Sequence, residues 1–433
     1  MRINSEVTFI RSEMKIFTQY LKIPTASVVL NTKLLLLTKG LDCDFSSIKK
    51  TYPLLKARYK VNKIRVSDRH FLSPASTERD FIPDELILEE GNQKSVVKVY
   101  FKKDSPFLFS IENDEFVILD KKTKTKFPVN VKPVPLYSYS KKLYRGIPLD
   151  EFVNVVGLDR ISIIPFDGCE HWIGGEQCQF CGANPERLEF TGIKPNVFEI
   201  KTKFDGSYKA WWNHYRDYMC ESISRSFEVL LKNEIKPHFH FLIMSGNLLD
   251  LDFPWEIAFD LIEAIKGKVV FSEIDSYFNL MPPLNFEKIK KVHEYGFRYM
   301  CFNLECFDRE IFKKVCPGKH RIYGYEKIIE ALKYSVNVFG KGRVRTNFVL
   351  GSEPVEGLIK GVLKLAKEGI VSDYTIFFPR PGSLWAHKEP PSPDEILDFT
   401  KKLVEIYKKY DFKPFCCSLS SRSSIANEVY NYL

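Results

Sequence analysis

The feature that most constrains the fold is a series of six short apolar runs after residue 155, separated by segments with helical periodicity. The runs begin just after Arg160, His240, Lys268, Arg298, Arg343 and Tyr374. The last four intervals between these starts span 28 to 45 residues, and one strand–helix unit of a βα barrel uses about 30 residues. Strands that alternate with helices form a parallel sheet. Six units therefore predict an α/β fold whose sheet curls into a partial (β/α)6 TIM-like barrel.

This pattern divides the chain into three predicted parts. Residues 156–390 are expected to form the barrel core, residues 1–155 an N-terminal α+β accessory region, and residues 391–433 a C-terminal helix and tail. The predicted helices are Trp255–Ile265, Phe286–Tyr295, Tyr325–Tyr334, Val355–Lys367, one containing Trp211-Trp212, and one near Asp394–Tyr407.

Within the accessory region the sequence favours short strands. The run Ser27–Leu37 is rich in β-prone residues, and Val96–Phe101 predicts a second strand. Phe116–Leu119 and Phe127–Val131 flank a polar segment and predict a hairpin. The accessory region and the tail are expected to form a lid or floor for the barrel.

Composition excludes several classes of protein. Hydrophobic residues make up 44% and charged residues 27% of the 433 positions, as in soluble globular proteins. No stretch approaches the ~18 consecutive apolar residues of a membrane span, and the N-terminus lacks the residue order of a secretory signal. We therefore expect a cytoplasmic protein without a membrane partner. The net charge of +9 permits binding of nucleic acid but does not require it, because the lysine runs are short.

The ten cysteines are the strongest chemical signal. In a reducing compartment they are expected to be free, catalytic or metal-bound. Cys169, Cys178 and Cys181 follow the first predicted strand with eight and two residues between them. Such thiolates suit zinc or an iron–sulfur cluster. Structural zinc needs four ligands, which His171 would complete, whereas a four-iron cluster on three thiolates keeps one iron open to a small molecule.

Segment 168–182, GCEHWIGGEQCQFCG, resembles the cluster loop of the radical S-adenosylmethionine (radical SAM) superfamily. In that family the loop follows the first strand of a partial six-fold βα barrel, and an aromatic residue, here Phe180, precedes the last cysteine. The common family form has three residues between the first two cysteines, and this chain has eight. Longer variants exist, so the departure leaves the subfamily and the substrate open.

The resemblance implies a [4Fe-4S] cluster on Cys169, Cys178 and Cys181, with S-adenosylmethionine bound to the open iron. It also implies cofactor contacts at the ends of the following strands. Ser245-Gly246-Asn247 resembles the family's Gly-Gly-Glu turn, although Asn247 stands where Glu is usual. The alternative for this segment is an ordinary strand-to-helix turn with a polar cap.

Two further strands carry polar residues on one face. Asn303 and Glu305 alternate along the fourth strand, and the resemblance makes them candidates for the ribose hydroxyls and the methionyl ammonium. Arg345 and Asn347 alternate along the fifth strand, where Arg345 is suited to bind a carboxylate. A solvated strand end without a ligand is the alternative. Arg380 lies in a turn that resembles that after strand six in the biotin-synthase-like branch, and faces either substrate or solvent.

The resemblance implies that S-adenosylmethionine is reductively cleaved to a 5′-deoxyadenosyl radical, which abstracts hydrogen from an unidentified small-molecule substrate. An electron donor such as ferredoxin or flavodoxin is implied as a partner. Two alternatives stay open, a radical enzyme that modifies tRNA and a zinc-stabilised scaffold without catalysis. The remaining group Cys301, Cys306 and Cys316, with the pair Cys416-Cys417, predicts buried apolar thiols, with a second cluster as the alternative.

Overall fold

The computed structural model describes residues 14–44, 83, 85–100, 102–183, 194–233, 239–380, 382–415, 419 and 421–433. Numbered along the chain, the strands are β1 (Asp42–Cys43), β2 (Glu85–Glu90), β3 (Gln93–Lys98), β4 (Phe107–Glu112), β5 (Glu115–Asp120), β6 (Asn130–Pro133), β7 (Leu143–Tyr144), β8 (Ile147–Pro148), β9 (Val153–Val156), β10 (Arg160–Ile163), β11 (His240–Met244), β12 (Asp275–Asn279), β13 (Tyr299–Cys301), β14 (Val344–Leu350) and β15 (Ile370–Ile376). The helices are α1 (Val28–Lys39), α2 (Glu170–Ile173), α3 (Phe198–Thr202), α4 (Tyr208–Asn233), α5 (Phe253–Ile265), α6 (Glu287–Glu294), α7 (Arg309–Val315), α8 (Pro317–Ile322), α9 (Tyr325–Phe339), α10 (Val355–Lys367), α11 (Pro393–Lys409) and α12 (Ala426–Tyr432).

A seven-stranded sheet forms the centre of the fold. Strands β10 to β15 are parallel and lie in sequence order, and β9 pairs antiparallel with β10 at one edge. In a βα barrel, strands that are consecutive along the chain are also neighbours in the sheet, because each crossover returns the chain to the adjacent position. The predicted α/β class with six parallel strand–helix units is confirmed. The carboxyl ends of all six strands share one edge of this sheet, which we call the carboxyl edge.

Two of the predicted strands are displaced from their true positions. The run after Lys268 was predicted as the third strand, but Phe271–Glu273 is a 3-10 turn and β12 begins at Asp275. Phe271 and Ile274 are buried, which explains why this run is apolar although it does not form a strand. The sixth strand begins five residues earlier than predicted, because Gly369, at a φ of 83°, ends the preceding turn directly before it.

The N-terminal predictions were partly wrong. The β-prone run after Ser27 is helix α1, whose first turn is capped by the Ser27 hydroxyl accepting from the Leu30 amide. Nearly every residue of α1 is buried, so the run is apolar all round and its composition alone does not distinguish helix from strand. The strand predicted over Val96–Phe101 is present as β3, but it begins three residues earlier and ends at Lys98.

The predicted hairpin between the runs at Phe116 and Phe127 forms only next to the polar segment, where the Phe127 amide donates to the Ile118 carbonyl at 2.9 Å. Strand β5 pairs antiparallel with β4, and β6 pairs with β2 in a different sheet. A single bridge between Leu119 and Lys126 is the remnant of the predicted pairing. The polar segment contains neither Gly nor Asn-Gly, which favour tight hairpin turns. The tight turn lies instead at Asn113-Asp114, where both residues have positive φ.

The described parts of the N- and C-terminal regions are joined by a buried ion pair. Lys33 Nζ lies 2.7 Å from Glu428 Oε1, with the side chains 0% and 3% exposed. Lys33 also donates to the Ser421 carbonyl at 2.8 Å, and Ser95 hydrogen-bonds to Glu428. The domain boundaries near residues 155 and 390 stay predictions. In the part of the chain described above, no helix is long and apolar enough to cross a bilayer.

Candidate cluster and cofactor site

The three cysteines follow β10 at the carboxyl edge. Cys169 precedes the short helix α2 and is buried. Cys178 and Cys181 lie in one turn, in which the Cys181 amide donates to the Cys178 carbonyl at 3.0 Å. The loop therefore returns the second and third thiols to the strand end that carries the first.

Backbone amides are directed at two of the three sulfurs. The Asn247 amide lies 3.4 Å from Cys169 Sγ, and the Ala183 amide lies 3.4 Å from Cys181 Sγ. Hydrogen bonds of this type stabilise thiolate charge and tune the potential of iron–sulfur clusters. Cluster ligands are expected to have such contacts, whereas free thiols buried among apolar side chains do not need them.

The three thiols are close enough to influence one another electrostatically. Burial raises the pKa of Cys169 to about 12, and the nearby Cys181 and Cys178 add to the shift. A hydrogen bond with Cys316 lowers the pKa of Cys178, and the neighbouring Lys319 ammonium acts in the same direction. The three thiols therefore lie near one another, as the ligands of one cluster would.

The alternative of a Cys3His zinc site finds no support in the geometry. Among the described residues, no group of three His, Cys, Asp or Glu side chains is placed to hold a single metal ion. A cubane differs, because its ligands occupy separate corners and do not converge on one point. Burial lowers the pKa of His171 to about 4, with Lys319 as the next cause, and its Nδ1 is buried without a hydrogen-bond partner.

The loops after β10 and β11 are bonded to each other. The Glu170 amide donates to the Asn247 carbonyl at 2.9 Å, and the Leu249 amide donates to the Glu170 carboxylate at 2.7 Å. A Cβ on Gly246 would lie 1.9 Å from the Gly168 carbonyl oxygen, so glycine is required there by space. The glycine of the predicted cofactor turn thus permits the approach of that turn to Cys169.

A small, open cavity of about 50 Å³ lies beside this junction at the carboxyl edge. It is lined by Met244, Ser245, Asn247, Asn279, Leu280, Met281, Asn303 and Lys319. Ser245, Asn247 and Asn303 were predicted from the sequence as cofactor residues, and the structure brings all three together here. Asn279 and Lys319 were missed. Asn279 ends β12, whose position the sequence misplaced, and Lys319 lies in a lysine-rich segment without a recognisable pattern.

Lys319 forms a buried ion pair at the cavity wall. Its Nζ lies 2.6 Å from Glu305 Oε1 and 3.4 Å from the Asn303 carbonyl, and both charged side chains are 9% exposed. Burial lowers the pKa of Lys319, but the charges of Glu305 and Cys178 outweigh it, so the pKa is raised and the ammonium stays charged. The pair places a cation and a carboxylate next to the cysteine loop.

The backbone at Glu305 is strained in a way typical of functional sites. Its φ of 66° lies in the left-handed region, which costs a non-glycine residue on the order of 1 kcal/mol. Two hydrogen bonds to β14 hold it there, from its amide to the Asn347 carbonyl at 3.0 Å and from the Val349 amide to its carbonyl at 2.9 Å. This conformation turns the Glu305 side chain to Lys319.

Two predicted residues on β14 lie elsewhere. Arg345 binds Asp373 in a fork with two contacts of 2.6 Å and donates to the Lys413 carbonyl, so its guanidinium is not available to a ligand carboxylate. Its predicted role is therefore corrected to that of a buried ion-pair partner. Asn347 donates to the Phe348 carbonyl at 3.2 Å and does not line the cavity.

The aromatic residue of the cysteine loop contacts the segment after β15. The ring of Phe180 lies 6.3 Å from that of Trp385, and the Trp385 amide donates to the Gln179 carbonyl at 3.0 Å. Arg380 lies over the Phe378 ring at 5.1 Å. The segment after β15 thus packs against the cysteine loop.

The second cysteine group is buried, as its apolar interpretation predicted. Cys301, Cys306 and Cys316 are each 6% exposed or less, and Cys301 Sγ contacts Asn303 Oδ1 at 3.3 Å. Among the described cysteines none forms a disulfide. The pair Cys416-Cys417 lies outside the described residues.

Comparison with known proteins gives one related sequence and several structures with similar parts. The chain is 26% identical over 289 residues to bacteriochlorophyllide c C-7(1)-hydroxylase of Chlorobaculum limnaeum. That match covers 63% of this chain and 65% of the relative, just under two thirds of its length. No protein-family model matches the chain.

Among solved structures, a radical SAM methyltransferase from Sphaerobacter thermophilus is 12% identical with a TM-score of 0.41, covering 83% of this chain and 87% of that one. The hydrogenase maturase HydG of Carboxydothermus hydrogenoformans is 14% identical with a TM-score of 0.34, covering 61% and 55%. The cysteine loop stands after the first of six sequential parallel strands, and a polar cavity adjoins it at the carboxyl edge. These features agree with the resemblance of the cysteine loop to that of the radical SAM superfamily.

Proposed function

We propose that the chain cleaves S-adenosylmethionine reductively at a [4Fe-4S] cluster held by Cys169, Cys178 and Cys181, and abstracts hydrogen from a small-molecule substrate. The observation that carries the proposal is the position of the three thiols. They lie at one strand end, with backbone amides directed at two sulfurs and a polar cavity beside them. When bound, the cluster supplies the electron that splits the sulfonium into methionine and a 5′-deoxyadenosyl radical.

The cavity offers complementary groups to the ends of the cofactor. Lys319 donates to a carboxylate, and Glu305 accepts from an ammonium, so the pair matches the methionyl amino acid. The side chains of Asn279 and Asn303 provide both donors and acceptors for ribose hydroxyls. Ser245 and Asn247 add polar groups on the turn that touches Cys169. In this proposal Arg345 and Asn347 position β14 and do not touch the cofactor.

Apolar side chains on the same wall exclude water. Met244, Leu280 and Met281 line the cavity between its polar groups, and Leu280 and Met281 are largely buried. A reactive radical is protected from solvent and from side reactions by such a lining. We expect the substrate to enter from the open side of the carboxyl edge, and a small electron donor such as ferredoxin or flavodoxin to reduce the cluster.

The test is substitution of each of Cys169, Cys178 and Cys181 by Ala, followed by anaerobic reconstitution. We expect loss of cluster iron and of 5′-deoxyadenosine formation in every variant, whereas the matched control Cys220→Ala keeps both. Retained iron and retained cleavage in all three variants would refute the assignment. Metal analysis of the unsubstituted protein separates it from the zinc scaffold, which predicts one zinc and no cleavage, and copurifying RNA would favour a tRNA-modifying enzyme.

The related sequence favours a second, more specific candidate. Because the chain resembles a bacteriochlorophyllide hydroxylase over 289 residues, we propose a chlorophyllide-like macrocycle as the substrate class. Titration of a chlorophyllide with reconstituted protein is expected to shift its absorption bands with saturation near one macrocycle per chain. An unshifted spectrum at high protein concentration would reject this candidate and leave the cofactor chemistry untouched.

A further inference from the structure

A cysteine outside the proposed ligand set lies next to one inside it. Cys316, fully buried at the end of α7, lies in a segment that is hydrogen-bonded to that of Cys178, through the Gln179 amide and the Val315 carbonyl. We propose that Cys178 and Cys316 are a reversible redox pair, which closes to a disulfide when the cluster is absent and peroxide is present. The inference rests on the proposed role of Cys178 as a cluster ligand.

Backbone hydrogen bonds bring the two cysteine segments into register. The Gln179 amide donates to the Val315 carbonyl at 2.9 Å, which joins the residue after Cys178 to the residue before Cys316. The Gln179 side chain donates to the Lys314 carbonyl at 3.2 Å. Two such contacts next to the thiols limit the movement needed to form a disulfide, whose Cα atoms must approach to about 5.5–6 Å.

A glycine on the other side allows this close approach. The Gly318 amide donates to the Glu176 carbonyl at 3.0 Å. A Cβ on Gly318 would lie 2.7 Å from that carbonyl oxygen and 2.6 Å from the His171 ring. Arg321 also binds the Glu176 carboxylate, with Nε 2.7 Å from Oε1. The segment carrying Cys316 is therefore fixed to the cysteine loop on both sides of Cys178.

The other two proposed ligands have different sulfur partners. Cys169 accepts from the Asn247 amide and Cys181 from the Ala183 amide, whereas the segment of Cys178 is bonded to that of Cys316 through the Gln179 amide. The disulfide is thus expected to form selectively at Cys178. Cys306, a buried thiol in the same region, is the nearest competitor and serves as a control.

The chemistry is that of a thiol pair with hydrogen peroxide as oxidant. Peroxide oxidises Cys178 to the sulfenic acid and releases one water, and the Cys316 thiol attacks the sulfenic sulfur and releases a second. In sum, two thiols and one peroxide give one disulfide and two waters. A dithiol reductant restores both thiols. Without Cys316, further peroxide converts the sulfenic acid to sulfinic acid, which dithiols do not reduce.

Peptide mapping of the iron-free full chain tests the pair directly. After peroxide treatment, trypsin is expected to release residues 161–187 linked to residues 315–319, and cleavage after Glu176 and after Phe180 assigns the link to residues 177–180, which contain Cys178 and not Cys181. The link is expected to persist in Cys306→Ser and Cys220→Ser and to vanish in Cys316→Ser. A link within 161–187, or to Cys306 in place of Cys316, would overturn the proposal.

Iron uptake supplies the second readout and needs no activity. Before oxidation, Cys316→Ser is expected to bind the same iron as the unsubstituted chain; a deficit would make Cys316 a ligand and contradict the proposal. After peroxide and then dithiothreitol, the unsubstituted chain should recover full iron uptake, and Cys316→Ser less than half of it. Equal recovery would refute the protective role. Because no S-adenosylmethionine is used, failure here is distinct from failure of the proposed catalytic function.

Discussion

Two buried Lys–Glu ion pairs have the same chemistry but different surroundings. Lys33–Glu428 and Lys319–Glu305 have contacts of 2.7 Å and 2.6 Å, and all four side chains are 9% exposed or less. The first pair joins helix α1 to helix α12 within packed surroundings. In the second pair, Lys319 lines a cavity beside the cysteine loop. One buried ion pair therefore lies within packed protein, and the other lies beside a cavity.

The further contacts of each lysine show the difference. Lys33 has a second protein partner in the Ser421 carbonyl at 2.8 Å, so its charge is used within the fold. Lys319 has a longer contact of 3.4 Å to the Asn303 carbonyl and faces the cavity with its remaining side. Since removing one member of a buried pair leaves an unpaired charge, both pairs resist substitution, but a ligand can compensate only at the second.

The largest effect on stability is expected for Lys33→Met. The substitution leaves Glu428 buried and unpaired, and the free energy of unfolding should fall by about 3–5 kcal/mol. Urea denaturation measures it. The double variant Lys33→Met/Glu428→Leu should recover most of the loss, because the uncompensated charge is removed as well. A single-variant loss below about 1 kcal/mol would show that the pair does not fasten these helices.

A smaller effect, on binding, is expected for Lys319→Met. Loss of a charged hydrogen bond costs about 1.5–3 kcal/mol, which corresponds to an S-adenosylmethionine dissociation constant raised about 10- to 150-fold. Equilibrium dialysis with reconstituted protein measures it. The exposed Lys333→Met, which removes a surface contact to Glu368, is the matched control and should leave affinity unchanged. Unchanged affinity in Lys319→Met would remove the cavity from the cofactor site.

The smallest effect is expected at a surface pair. Glu89 contacts Lys132 at 2.7 Å and Lys94 at 2.9 Å on strand β2, and hydrogen bonds from these two lysines lower its pKa. A lowered folded-state pKa adds stability above the unfolded value near 4.5, and this stability is lost as the pH falls through the folded value. Glu89→Gln should cost under about 1 kcal/mol at pH 7, and nothing at pH 2. Denaturation at both pH values checks it, and equal losses would contradict the electrostatic cause.

The barrel was predictable from the sequence because its signal repeats. Buried parallel strands are apolar on both faces, so each strand–helix unit gave a separate signal in the sequence. The misplaced third strand did not change the predicted number of units. Helix α10 was predicted with its observed ends, Val355–Lys367. The N-terminal elements lacked this redundancy. Helix α1 is buried nearly all round, so neither a 3.6-residue nor a two-residue period marks it.

The residues of the candidate site also differ in whether the sequence could predict them. Residues that follow a strand directly, such as Ser245 and Asn303, were found from their place at the carboxyl edge. Lys319 was missed because it reaches the cavity from helix α8, which crosses over the cysteine loop, and only tertiary contacts bring it there. Arg345 shares the inward face of its strand with Asn347, but its partner Asp373 lies on the adjacent strand and could not be paired with it in advance.

Electron paramagnetic resonance of the reduced, reconstituted protein tests the central claim most directly. The account predicts a signal from one [4Fe-4S] cluster whose g-values change on addition of S-adenosylmethionine, because the iron without a cysteine accepts the cofactor. The same addition should change the signal little in Lys319→Met at equal cofactor concentration. A cluster signal that stays unchanged at saturating S-adenosylmethionine, or a protein that holds zinc and gives no signal, would contradict it.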